Sequence, residues 1–372
     1  MGFVNALAPL RLARSGQVDK TLSKLASSSF SRIFRLVLPA TVATIISWVI
    51  CNMGLYTTAE MSDAFWLHST APSPSPNWLQ AVPDLLRGIS ATWAFGQQNP
   101  YDQPQWALIY LLQGSFMIIS ALFLTAHMTP AWRTATLSAL IFWSLNWSRL
   151  IGDPWTGLCC FAGIMLAEMS LAGGAEALSD ISPILAPLSI LVGLFVMSYP
   201  GGYPDAASWS RMMHAFGLRF LPTEAVDRMY GSLGGIALVF GIIISPHAHC
   251  VLSSKPLEWL GKVSFAIYLL HGMLLRTVFA WLLHLGQSLT PFVENEDGID
   301  VDVNRYPVPG FFQCAFATVV SAACIAAASQ VWTLKFDPLF GKITATLEGV
   351  TAGKSFVGVK SSEDPVLPTR KD

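Results

Sequence analysis

The chain has 372 residues, of which 53% are hydrophobic and only 12% charged, and its mean hydropathy is +0.50. Soluble domains carry about 25% charged residues, so a water-soluble globule is excluded, as is disorder over most of the length. Twenty-two Lys and Arg against 23 Asp and Glu leave a net charge of -1, which gives a nucleic-acid partner no electrostatic footing. A membrane protein remains, and 28 Gly with 23 Pro agree, because bilayer helices tolerate both better than soluble helices do.

A bilayer core takes about 20 apolar residues per helix. In chain order, segments 36–55, 105–126, 133–151, 155–171, 181–199, 229–248, 263–285 and 308–330 reach or approach that length. Their apolar residues run on without alternating, so the expected fold class is all-α, a multi-pass transmembrane helical bundle of about eight spans. The third and fourth spans are divided only by Gly152-Asp153-Pro154, which reads either as a tight hairpin or as a re-entrant break. Residues 1–35 are expected as a cytosolic segment without a signal peptide, 36–330 as the transmembrane domain, and 331–372 as a cytosolic, mostly disordered tail. Fifteen Lys and Arg fall on the side of the termini against six on the other. Both termini are therefore expected in the cytosol, in an endomembrane.

The connections differ in kind. Residues 56–104 form a long loop with a Pro/Ser tract at 71–76 and Trp66, Trp78 and Trp93. The 200–228 connection holds a mixed segment that reads as a helix lying on the membrane. Residues 286–307 read as an acidic loop carrying Glu294, Glu296, Asp297, Asp300 and Asp302. The six cysteines lie in or at the ends of apolar runs and read as small apolar fillers.

Ionisable groups at membrane depth are costly and are functional candidates by default. His271 is the first of them. Ser264, Tyr268 and His271 stand at i, i+4 and i+7 and share a helix face, with His271 placed roughly 12 Å from one end of its span. A histidine there suits a general base, because its ordinary pKa lies near neutrality; the bland alternative is an interhelical packing bond. Gln113 lies about as deep from the opposite side and donates without acting as a base. Arg276 has three readings: snorkelling, pairing with an unidentified carboxylate, or holding an anionic ligand. Glu168 pairs with a lysine at that face or marks a helix end, and Arg149 and Asp153 flank the 152–154 break. His247-x-His249-Cys250 lacks a third ligand at standard spacing, so no metal site is expected.

Three blocks carry a family likeness: Phe34-Arg35-Leu36-Val37-Leu38-Pro39 at the start of a span, Asn99-Pro100-Tyr101-Asp102 with Trp106 leading to Gly114-Ser115, and Ser264 through His271. Together with Phe161–Glu168 they resemble the membrane-bound acyltransferase 3 family in its fungal form. The resemblance implies about ten helices. It also implies transfer of an acyl group, often acetyl from acetyl-CoA, to a hydroxyl of a sugar, lipid or secondary metabolite. The family's functional Arg and His lie in a first span for which residues 1–35 offer no position, and eight spans plus two would give ten. An acidic residue usually stands near Gln113 in the family. On this reading the catalytic candidates are His271 as base, with Gln113 or Arg276 stabilising the carbonyl oxyanion. Tyr268, Ser264 and Trp106 are the substrate-binding candidates. Acyl-CoA is a co-substrate entering near Lys255 and Lys262, with no bound cofactor, and the acceptor is a small hydrophobic molecule. The rival readings are a non-catalytic membrane carrier and an inactive acyltransferase-like relative.

Overall fold

In hydrocarbon a peptide group must find its partner within its own segment, so long apolar runs close into helices. The computed structural model describes residues 1–146, 154–220, 226–296, 299–351 and 353. Helix α1 (Gly2–Arg14) leads into the long α2 (Val18–Asn52). The connection expected as a loop at 56–104 is instead largely helical: α3 (Thr57–Glu60), α4 (Phe65–Thr70) and α5 (Trp78–Thr92), the last capped by Asn77 accepting from the Gln80 N–H at 3.0 Å. A 3-10 turn at Gln103–Ala107 runs straight into α6 (Leu108–Thr125). Then come α7 (Pro130–Ser144), α8 (Pro154–Leu171), α9 (Gly174–Ile181) and α10 (Leu185–Met197). They are followed by α11 (Ser208–Phe220), α12 (Val226–Ile244), α13 (Pro246–Leu252) and α14 (Lys255–Leu274). A π turn at Leu275–Phe279 joins α14 to α15 (Ala280–Leu283), and α16 (Phe311–Thr351) is the last helix.

The expected eight spans are not confirmed. Among the described residues six helical segments are long and apolar enough to cross a membrane: Val18–Asn52, Gln103–Thr125, Pro154–Leu171, Val226–Ile244, Lys255–Leu283 and Phe311–Thr351. The shortfall has two sources. Helix α7 has 15 described residues, about 22 Å at 1.5 Å per residue, against a core of about 30 Å; residues 147–153, with Arg149 and Asp153, lie outside the described residues. The segment expected at 181–199 holds only the 13-residue α10, set at 101° to α9 across a break where Pro183 removes an N–H and fixes its own φ. Counting that bent pair as one span gives seven.

Three further elements differ from expectation. Residues 2–14 are not a loose segment: α1 packs into the bundle with Ala6 and Leu10 buried against Ile118, Leu137 and Ile164. Helix α16 runs on to Thr351, well past residue 330. The acidic connection is a hairpin of β1 (Thr290–Glu296) and β2 (Ile299–Arg305), antiparallel, with Thr290 opposite Arg305 and Glu296 opposite Ile299. Its base is tied down by a bridge from Ser62 to Tyr306. Helix α11 lies within the 200–228 connection, exposing Met212, Phe216 and Phe220 on one side. Its other side is held by Tyr230, whose hydroxyl donates to the Met213 carbonyl at 2.6 Å.

Helices α8 and α12 run in the same direction. Trp155 clusters with Met229 at one end, while Leu166 meets Ile244 near the other. Helix α1 follows α8 so closely that a Cβ on Gly163 would stand 2.8 Å from Gly2 Cα. Apolar side chains give helices little preference for each other in lipid, so close backbone approach through small residues supplies the packing. Gly163→Leu should therefore push α1 off α8 and cost about 1–3 kcal/mol. A lower thermal midpoint in detergent checks this; an unchanged midpoint contradicts it.

Candidate functional site

Arg276 is fully buried, and a charge at that depth survives only if the protein solvates it. The π turn that contains it interrupts the regular spacing after α14, a feature often seen at functional positions. Its Nε donates to the Gly272 carbonyl at 3.1 Å, Nη1 to Thr70 at 2.9 Å, and Nη2 to Tyr101 at 2.7 Å. The guanidinium also lies over the Tyr56 ring, 4.9 Å from its centre. The unidentified carboxylate of the sequence is Asp102, whose Oδ1 is 3.7 Å from Arg276 Nη2. Approach of α14 to that carboxylate depends on Gly272, where a Cβ would stand 2.7 Å from Asp102 Oδ1.

Around this pair the Asn99–Gln105 stretch is knitted to α2 and α5. Gln105, fully buried, donates to Asp102 Oδ2 at 2.8 Å and to the Ala40 carbonyl at 3.3 Å. Its Oε1 accepts from Thr44 and Thr92, each at 3.1 Å. Asn99 donates to the Thr44 and Thr92 hydroxyls at 2.9 Å and accepts the Tyr101 N–H at 3.0 Å. Ser47 donates to the Tyr101 carbonyl and accepts from the Tyr56 hydroxyl, 2.6 Å away. Burial pushes the Asp102 carboxyl up to about 6, while Arg276 and the Gln105 amide pull it back down. Burial likewise raises the Tyr56 phenol to about 12.

His271 stands on α14 one turn before Arg276 and is half-buried. Its Nδ1 faces two carbonyls, Tyr268 at 2.8 Å and Ile267 at 3.1 Å. Carbonyls only accept, so Nδ1 carries the proton and Nε2 is left to accept one. Helix α14 begins at Lys255, so His271 sits about 24 Å along it. Tyr268 donates its hydroxyl to the Pro104 carbonyl, which pins α14 to the 3-10 turn. Ser264 is exposed and turned back on its own helix, donating to Gly261 at 2.9 Å. The expected stripe therefore runs from an exposed end at Ser264 to a half-buried one at His271. Lys255 and Lys262 are exposed on the first turns of α14.

The remaining candidates lie elsewhere. Trp106 is half exposed and lines a cavity of about 440 Å³ with Tyr110, Trp155, Cys159 and Arg228. His271 is not among that cavity's lining residues. Gln113 is half-buried on α6, about 12 Å further along the helix than Gln105. The structure thus gathers His271, Tyr268 and Arg276 beside Asp102 and Gln105, and leaves Trp106, Ser264 and Gln113 outside that network. Asp102 and Gln105 were not singled out as site residues, although both fall within the second family block. Glu168, at the far end, pairs with Arg14 and Arg133 rather than with a lysine.

An acyltransferase domain, the acyltransferase 3 family model, matches residues 13–328. The chain belongs to that family. It is 26% identical over 312 residues to O-acetyltransferase PaAT-1 of Phomopsis amygdali, covering 74% of this chain and 60% of the relative. Acyltransferase clz18 of Cochliobolus lunatus is 22% identical over 297 residues, covering 69% of this chain and 61% of the relative. Acyltransferase R4 of a Phoma species is 21% identical over 370 residues, with 88% and 74% covered. The chain thus spans about three fifths of the first two relatives. No solved structure matches it. As a member of that family with several apolar helices it is an integral membrane protein.

The buried pair makes a stability prediction. Arg276→Met strips the buried Asp102 of its cation and three carbonyls of their donor, which typically costs about 3–5 kcal/mol. The variant should lose its monodisperse peak in detergent, and a parent-like thermal profile would contradict the assignment.

Proposed function

We propose that the protein is a membrane O-acyltransferase that moves an acyl group, acetyl first among the candidates, from acyl-CoA to a hydroxyl of a small hydrophobic acceptor. The family match over most of the chain supports acyl transfer, and a relative named as an O-acetyltransferase supports the acetyl and hydroxyl assignments. The observation that carries the residue assignment is His271: its Nδ1 is fixed on the Tyr268 carbonyl, so Nε2 is the basic atom. In the proposed step Nε2 takes the acceptor's hydroxyl proton as that oxygen attacks the thioester carbonyl. The same proton then goes to the departing coenzyme A thiolate, so the imidazole ends neutral.

Arg276 acts in this reading by positioning. Its donors are directed at carbonyls of three segments, and together with the Tyr268–Pro104 bond it sets where α14 presents His271.

Purified chain in vesicles, given radiolabelled acetyl-CoA and a panel of hydrophobic alcohols, should form labelled ester. His271→Gln should lower that rate about 10²–10⁴-fold at parental membrane yield. Full transfer by the variant removes His271 from the reaction. Net movement of an unmodified alcohol without ester formation would favour a carrier.

A further inference from the structure

The end of the bundle opposite Arg276 holds a second buried ionic group that the acyl-transfer chemistry above does not use. Glu168 is buried on α8 and meets two arginines. Arg133, itself buried, places Nη1 3.2 Å from both carboxylate oxygens. Its Nε donates to Thr125 at 3.2 Å and its Nη2 to Met128 at 2.9 Å, so that guanidinium is fully committed. Arg14, at the end of α1, adds a second cation: its Nη1 donates to Glu168 Oε1 at 3.0 Å and to the Glu168 carbonyl at 3.3 Å. Two cations against one carboxylate leave one positive charge in surplus.

That surplus is directed. Among the described residues Arg14 spends only Nη1, and its side chain remains 28% exposed. It lines a cleft of about 470 Å³ with Glu168, Pro130, Thr134, Met165 and Met169. Arg133 satisfies Glu168, and Glu168 in turn holds Arg14 in place. The outer edge of the Arg14 guanidinium is thus presented to the cleft without the entropy cost of fixing a mobile side chain. A planar fork of N–H donors beside apolar walls matches a phosphate whose remainder is greasy or bulky.

We infer that Arg14, held by the Glu168–Arg133 pair, forms a phosphate-binding site in the cleft between α1, α7 and α8. The phosphate comes from one of two sources, the coenzyme A part of the acyl donor or a phospholipid headgroup. The first source rests on the acyl-transfer reading and the second does not.

The test uses the full chain in phosphatidylcholine nanodiscs with two probes, soluble desulfo-coenzyme A and phosphatidic acid added to the bilayer. Two variants are compared with the parent. Arg14→Gln removes the free fork. Thr134→Glu sets a carboxylate at the rim from an exposed position, leaves the Arg–Glu pair intact, and decides the matter if the first variant fails to fold. At least one probe should bind the parent saturably, and both folded variants should bind it about tenfold more weakly. Loss confined to desulfo-coenzyme A assigns the site to the donor, and loss confined to phosphatidic acid assigns it to lipid. Parent-like binding of both probes by the variants overturns the site, as does the absence of saturable binding to the parent. Failure of the acyl-transfer reading shows separately, as a parent that forms no ester in vesicles, because neither probe reacts.

Discussion

A guanidinium placed inside an apolar bundle has to be solvated by protein, and the arrangement around Arg276 follows from that requirement. Its three carbonyl partners belong to α14, to the end of α4 and to the turn before α6. Those segments come from widely separated parts of the chain, so one side chain fixes the long 56–104 connection against the last third of the molecule. Asp102 balances the charge, and Gln105 passes the constraint on to α2 and α5 through Ala40, Thr44 and Thr92. Partly satisfied networks of this kind are costly in a low-dielectric interior, whereas satisfied ones rigidify it.

The same economy appears at the other end of the bundle, where Glu168 joins α1, α7 and α8 through Arg14 and Arg133. Between the two ionic clusters the helices are held by apolar and small residues, as Gly163 shows against Gly2. His271 lies one turn from the first cluster, and its orientation is set by local carbonyls. In the proposed role, a base that must keep one tautomer gains from such a rigid surrounding, because drift of even about 1 Å costs transfer rate steeply.

The class of the protein was legible from composition, since 12% charged residues leave a bilayer as the fitting solvent. The family was legible from three short blocks and agrees with the match over residues 13–328. Span number was less legible, because hydropathy measures apolar length and says little about where a helix starts and bends; Pro183 stands at the head of an apolar run whose helix, α10, has only 13 residues. The hairpin was missed although Ile299, Val301 and Val303 alternate with polar residues, a period-2 signal that its acidity masked. His271 and Arg276 stood out as costly residues in a span. Their surroundings did not, because Asp102 and Gln105 meet α14 across more than 160 positions, a pairing that only the fold supplies. The continuation of α16 beyond residue 330 was hidden by Lys335, Asp337 and Pro338, which interrupt its apolar run.

The account turns on the claim that Asp102 and Arg276 act as one unit that holds α14 in register. A double-mutant cycle of Asp102→Asn and Arg276→Met, read by thermal unfolding in detergent, tests it most directly. A coupled pair predicts that the combined variant loses less stability than the two single losses added together, by about 0.5–3 kcal/mol. Losses that simply add would contradict the claim and would leave each residue as an independent packing element.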